Sequence, residues 1–108
     1  MSITKEDSVR AVQRFEPRPD AVYTLETTAH LAHVTRRAIL VYYNHGLVSP
    51  ARDPQEAGYY FNDEAIRALQ HIAFLRNNCG INLRGTRIIM ELIDEVERLR
   101  NELRFRRE

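Results

Sequence analysis

The sequence predicts an all-α fold with a small β-wing: a helix-turn-helix, a wing, one further helix and a long C-terminal helix. Three patterns carry this expectation. Residues 27–50 read T-T-A-H-L-A-H-V-T-R-R-A-I-L-V-Y-Y-N-H-G-L-V-S-P, two short helical segments on either side of a His33-Val34 turn, with Gly46 closing the second. That is the spacing of a helix-turn-helix. Residues 47–62 set Pro50, Pro54 and Gly58 around Gly58-Tyr59-Tyr60-Phe61, which suits a tight β-hairpin used as a wing. Finally, Ile89, Leu92, Val96, Leu99 and Leu103 recur at steps of three and four, the signature of a helix with one apolar seam.

The elements follow in chain order. Residues 1–20 form a charged leader ending in Glu16-Pro17-Arg18-Pro19-Asp20, where alternate prolines disfavour helix and sheet. Residues 21–86 form the winged helix-turn-helix domain. It opens with Val22-Tyr23-Thr24-Leu25 as a short β-segment or staple. After the wing, Asn62 or Asp63 caps a third helix, with Asp63 and Glu64 at the positive end of its dipole. Ala65, Ile66, Leu69, Ile72, Ala73 and Leu75 form its buried face, and Gly80 stops it. Asn82 caps the last helix, and residues 87–108 form the C-terminal dimerisation helix.

The chain has 108 residues, 44% of them hydrophobic, with a formal net charge of +1. That is enough for one globular domain with a modest core. It is too near neutral to argue for nucleic acid from charge alone. Lys5 is the only lysine, and arginine suits ion pairs and phosphate contacts equally. The single cysteine, Cys79, excludes an internal disulfide and fits a reducing compartment. The longest apolar run, residues 38–43, is far below membrane-spanning length, and no apolar signal segment opens the chain. A cytoplasmic protein is expected.

The terminal helix admits two readings. Its first part, Ile88, Ile89, Leu92 and Ile93, can pack on the chain's own core. Leu99 and Leu103 have little chain left to cover them, so Leu92, Val96, Leu99 and Leu103 are expected at a homodimer interface. Asp94 with Arg98 and Glu102 with Arg106, each four apart with the acid first, should flank the seam as ion pairs.

Catalytic chemistry finds no support. His30, His33, His45 and Cys79 are scattered soft ligands with no C-x-x-C or H-E-x-x-H spacing. There is no glycine-rich phosphate loop. The paired acids of the last helix sit among arginines as solvated charge. No enzyme activity, catalytic residue, metal or cofactor is expected.

The layout resembles the MerR superfamily over residues 22–104. The pieces that carry the resemblance are Leu31-Ala32, Gly46-Leu47-Val48-Ser49-Pro50, Gly58-Tyr59-Tyr60-Phe61 and Gly80-Ile81-Asn82-Leu83-Arg84-Gly85. Two branches fit the length: heat-shock-repressor-type regulators that bind operator DNA, and CbpM-like chaperone modulators that bind the J-domain of a CbpA/DnaJ-like co-chaperone. DNA readers of the superfamily usually carry T-[IL]-R-x-Y in the recognition helix. Here the aligned residues are Ala38-Ile39-Leu40-Val41-Tyr42, with Leu40 at the arginine position. The wing likewise has tyrosine where DNA readers carry a phosphate-gripping arginine. The tail Leu92-Ile93-Asp94-Glu95-Val96-Glu97-Arg98-Leu99-Arg100 looks like the modulator ending.

Arginine is the commonest specific base contact and leucine has no donor, so the resemblance implies a chaperone modulator first. Its J-domain-binding acids would be Glu91, Asp94, Glu95 and Glu97, facing the basic helix that J-domains present. The alternative is a DNA-binding transcription regulator. It would dock the helix between Thr35 and His45 in the major groove, with Arg36, Arg37, Tyr42, Arg52, Tyr59 and Tyr60 as contacts. From Ala29 to Arg52 there is no carboxylate, which suits a phosphate backbone; Arg36 and Arg37 suit simple solvation as well. Because the superfamily's sensors carry a ligand domain beyond the long helix, and the sequence ends at Glu108, no small-molecule substrate is expected.

Overall fold

The structure, a computed structural model, describes residues 20–107; the expected leader over residues 1–20 lies, but for Asp20, outside the described residues. The elements are β1 (Val22–Thr24), α1 (Leu25–Ala32), α2 (Arg36–Asn44), α3 (Pro54–Ala57), β2 (Tyr60–Asn62), α4 (Asp63–Ala73) with a π-helical turn at Phe74–Asn78, and α5 (Leu83–Arg107). None of the described helices is long and apolar enough to cross a membrane.

Each helix starts where a short polar side chain satisfies an orphan amide. The Thr27 N–H donates to Thr24 Oγ1 at 3.2 Å, the Ala38 N–H to Thr35 Oγ1 at 3.0 Å, the Ala65 N–H to Asn62 Oδ1 at 3.0 Å, and the Gly85 N–H to Asn82 Oδ1 at 2.8 Å. The α1–α2 turn is made by His33 in the left-handed region, φ 59°, with the Val34 N–H returned to the Ala29 carbonyl at 3.1 Å. Such a turn closes a helix abruptly. Gly46, at φ 74°, does the same for α2.

The wing departs from the expected hairpin. β2 pairs with β1, antiparallel, in the register Val22↔Asn62, Tyr23↔Phe61 and Thr24↔Tyr60. The other arm of the wing is the loop that leads into the single turn α3, and the Ala51 N–H of that loop donates to the Tyr60 carbonyl of β2 at 2.7 Å. The cause is local. Asp53 accepts from the Gln55 N–H at 3.0 Å with Pro54 at the first helical position, a helix-start signal. Pro50 has no N–H to give a ladder.

The core gathers fully buried Ile39 of α2, Phe61 of β2, and Ile66, Leu69 and Ile72 of α4, with Ala32, Val48 and Met90 around them. α5 joins through Thr86 and Met90, both buried, and half-buried Leu83 and Ile93. This corrects the expectation that Ile88 and Leu92 pack inward: they are 53% and 58% exposed. At about 100° per residue, positions 88 and 92 lie roughly opposite 86 and 90, so α5 carries two apolar stripes and only one faces the domain. The ion pairs also differ. Arg98 donates to Glu95, Nη2 to Oε2 at 2.5 Å and Nε to Oε1 at 3.1 Å, and to Glu102. Its fork is thereby occupied by acids three residues before and four after, and among the described residues Asp94 and Arg106 make no ion pair.

Candidate functional site

Two surfaces compete for a role. The first is the exposed side of α2 with the wing. Thr35 sets the N-terminus of α2, which places Arg36 and Arg37 in solvent on its first turn. Arg36 is already engaged: its Nη1 lies 3.3 Å from Glu26 Oε2. Arg37 makes no ion pair among the described residues. Leu40 is half-buried and Val41 exposed, so the middle of the helix presents apolar atoms where base readout needs donors. Tyr42, read as a DNA contact, is a correction: it is buried, 9% exposed, in the core cluster. Its neighbours Ile39 and Tyr43 show why, since positions 39 and 42–43 fall on one side of the helix, toward the domain.

The wing residues are better placed but partly self-occupied. The Arg52 guanidinium sits 5.1 Å from the Tyr60 ring centroid, a cation–π arrangement that steadies both. Tyr59 is exposed and meets Tyr43 edge to face at 5.7 Å. Of the six residues read as DNA contacts, Arg36, Arg37, Arg52 and Tyr59 are therefore exposed and Tyr60 half-buried.

The second surface is a groove of ≈ 690 Å³ between the loop after α2, α4 and the first half of α5. Val48, Ala65, Met90 and Ile93 give it an apolar floor, and Glu64, Glu91, Asp94 and Glu97 a carboxylate rim. Arg67, Arg87 and His71 also line it, and Arg87 lies 3.6 Å from Glu91. The structure thus brings together three of the four acids read as partner contacts. It separates the fourth, Glu95, which lines another face of α5 and is held by Arg98. The Arg98 hydrogen bond, with its charge, keeps the Glu95 carboxyl below its ordinary range, and Arg98 is raised in turn.

The sequence reading missed Glu64, seen only as a dipole partner, and the floor residue Val48, whose signal lay in the apolar Leu47-Val48 after Gly46. Both sit outside the element that drew attention, and only the tertiary packing of α4 on α5 brings them to one place.

Beyond Ile93 the outer stripe of α5 stands free. Leu92, Val96, Leu99, Leu103 and Phe105 are each 46% exposed or more. Cys79 is an exposed free thiol, and the described residues hold no group of three or more His, Cys, Asp or Glu placed to bind a metal.

A family model described as a MerR HTH family regulatory protein matches residues 23–107. No curated protein matches the chain.

Proposed function

The chain belongs to the MerR helix-turn-helix family of regulatory proteins, and on that premise we propose that it is a chaperone modulator that binds and inhibits a J-domain co-chaperone of the CbpA/DnaJ type. The observation that carries this is the groove: an apolar floor edged by Glu64, Glu91, Asp94 and Glu97. Glu91, Asp94 and Glu97 climb α5 over about 9 Å at 1.5 Å per residue, a spacing that meets basic residues one turn apart on a facing helix. A helix with a central apolar residue and flanking Lys or Arg satisfies floor and rim together. The recognition helix supports the same direction, because Leu40 and Val41 offer no donors and Arg36 is paired. The modulator acts as a homodimer, with Leu92, Val96, Leu99 and Leu103 facing a second copy.

Calorimetric titration with the J-domain encoded in the same cell tests the proposal at two salt concentrations. Wild type binds, more weakly at high salt. Asp94→Lys with Glu97→Lys loses at least about tenfold in affinity, since like charges then meet across a partly desolvated rim. Glu95→Lys serves as the control and changes binding little. No wild-type binding to any cognate J-domain defeats the proposal.

A second reading is favoured by one observation: the segment from Ala29 to Arg52 has no carboxylate, and Arg37 makes no ion pair among the described residues. In it the dimer binds operator DNA as a transcription regulator. A nanomolar, sequence-selective duplex shift by the wild-type protein establishes it, whereas phosphate contacts alone give about micromolar or weaker binding near physiological salt.

A further inference from the structure

The charge of α5 reverses halfway along the helix. Residues 91–97 carry Glu91, Asp94, Glu95 and Glu97 and no base, whereas residues 98–107 carry five arginines and one acid, Glu102. The acid half lines the groove through Glu91, Asp94 and Glu97. The basic half ends in Phe105, which at 76% is the most exposed large apolar side chain among the described residues. At about 100° per residue, Met90, Glu91, Asp94, Glu97, Arg104 and Phe105 fall on one side of the helix. The stripe of Leu92, Val96, Leu99 and Leu103 falls on the other, so Phe105 has no place in it.

We propose that the tip of α5 from a second copy of this chain occupies the groove, its Phe105 against the apolar floor at Met90 and Ile93 and its Arg104 against Glu91. Arg104 is exposed and makes no ion pair among the described residues, so it is free to meet a carboxylate. A chain cannot seat its own tip, because Phe105 lies eleven residues beyond Asp94 on one unbroken helix, about 16 Å further along. Two copies running in opposite directions, with Glu97 of one level with Arg98 of the other, bring Glu91 level with Arg104 and Met90 level with Phe105. The acid half of each helix then lies along the basic half of the other, whereas copies running the same way would set like charges together. The contact is reciprocal and closes after two chains. Aromatic and arginine side chains over a partly desolvated floor are the residues that anchor interfaces, and a groove of ≈ 690 Å³ has room for a phenyl ring. A seated tip excludes an outside basic helix, so self-association regulates the groove. This rests on the groove of the reading above and on no other part of it, so its test contains no J-domain.

The unusual lysine content supplies the test. Lys5 is the chain's only lysine, so full-length protein carrying Lys5→Arg and Arg104→Lys has its one side-chain amine at the tip, with charge unchanged. Isotopically heavy and light chains are mixed and treated with a zero-length carbodiimide, which joins that amine to carboxylates in direct reach. Peptide mass spectrometry then maps the amide bonds that include position 104. The expected result is coupling between heavy and light chains at Glu91, with Glu64, Asp94 or Glu97 beside it. Its yield falls at least fivefold in 1 M salt and at least fivefold when Phe105→Ser is added. Three results overturn the proposal: coupling confined to single chains, as at the neighbouring Glu102; a yield between chains at Glu95 equal to that at the groove acids; or a yield that either salt or Phe105→Ser leaves unchanged. Failure here leaves the partner titration above untouched, and failure of that titration leaves this result standing.

Discussion

The two halves of α5 share one helix and one periodicity yet meet opposite surroundings. In the first half Leu83, Thr86, Met90 and Ile93 face the domain, with Thr86 wholly buried and Met90 8% exposed. In the second half Val96, Leu99 and Leu103 have the same three-and-four spacing and are 46–56% exposed. The inner stripe ends after Ile93, because the next position in its series is Glu97. The outer stripe starts at Ile88 and runs on to the end. The two stripes overlap between Ile88 and Ile93, and only the inner one is covered by the domain. Burial in one chain shows which stripe serves folding. The leftover stripe has the length and spacing of a surface for a second protein, which is where the proposed homodimer places it.

The largest effect should separate the halves outright. Met90→Ala removes a buried side chain from the α4–α5 contact and should cost about 2–5 kcal/mol, read as a lower denaturant midpoint with assembly mass unchanged at concentrations where the protein stays folded. Leu99→Glu with Leu103→Glu places carboxylates on the outer stripe, where burial against a partner without a countercharge is costly. Light scattering should show a shift toward monomer, while the denaturant midpoint measured on dilute monomer stays nearly constant. A double mutant with the wild-type mass breaks the comparison by making the distal stripe idle.

What was legible in the sequence divides along the same line. Local signals were sufficient for the helix-turn-helix and for the cap Asn82, and narrowed the other cap to Asn62 or Asp63, because each depends on residues within one turn; at Val22 they left a β-segment or a staple, and the strand is made by pairing with distant Asn62. The wing failed at Asp53-Pro54, where a helix-start signal outweighed the hairpin pattern. Tyr42 failed because its place in a DNA-reading motif was taken as exposure, while its position one step from Tyr43 and three from Ile39 put it in the core. In α5 the seam from Leu92 to Leu103 was visible, but the parallel stripe through Thr86 and Met90 was not, since Thr86 broke its apolar pattern. The three groove acids on α5 were named without the groove. Their gathering with Glu64 depends on the packing of α4 against α5, which no local pattern encodes.

A middle-sized effect sharpens the contrast at the start of the packed half. Gly85 is inside the helix, where alanine ordinarily gains up to about 1 kcal/mol over glycine. A Cβ at this position would lie 2.8 Å from Ile81 Cγ2 and 3.3 Å from Asn82 Oδ1, the oxygen that caps the helix. Gly85→Ala should therefore destabilise by about 0.5–2 kcal/mol through the disturbed cap, against the sign of helix propensity. Thermal unfolding decides it. A gain in stability means that Ile81 and Asn82 move aside freely, and that the first turn is less constrained than its contacts imply.

The smallest effect belongs to the free half and concerns pH. Arg98 joins Glu95 and Glu102 on the solvent side of α5, and its hydrogen bond is the main cause of the lowered Glu95 pKa. A carboxylate lowered in the folded helix favours that helix above its ordinary titration range. The contribution is lost as pH falls through the folded value, so the effect appears on the acid limb, below the ordinary glutamate range of about 4.3. Both side chains are open to water, so salt should weaken the coupling. In a carbon-detected titration the Glu95 carboxyl should reach its midpoint below an exposed reference glutamate, and Arg98→Gln should bring the two together. High salt should do the same in part, leaving the core signals of Met90 and Thr86 in place. If Glu95 titrates with the reference glutamate in the wild type, the Arg98 fork does not hold in solution, and the distal half of α5 takes no support from its own surface charges.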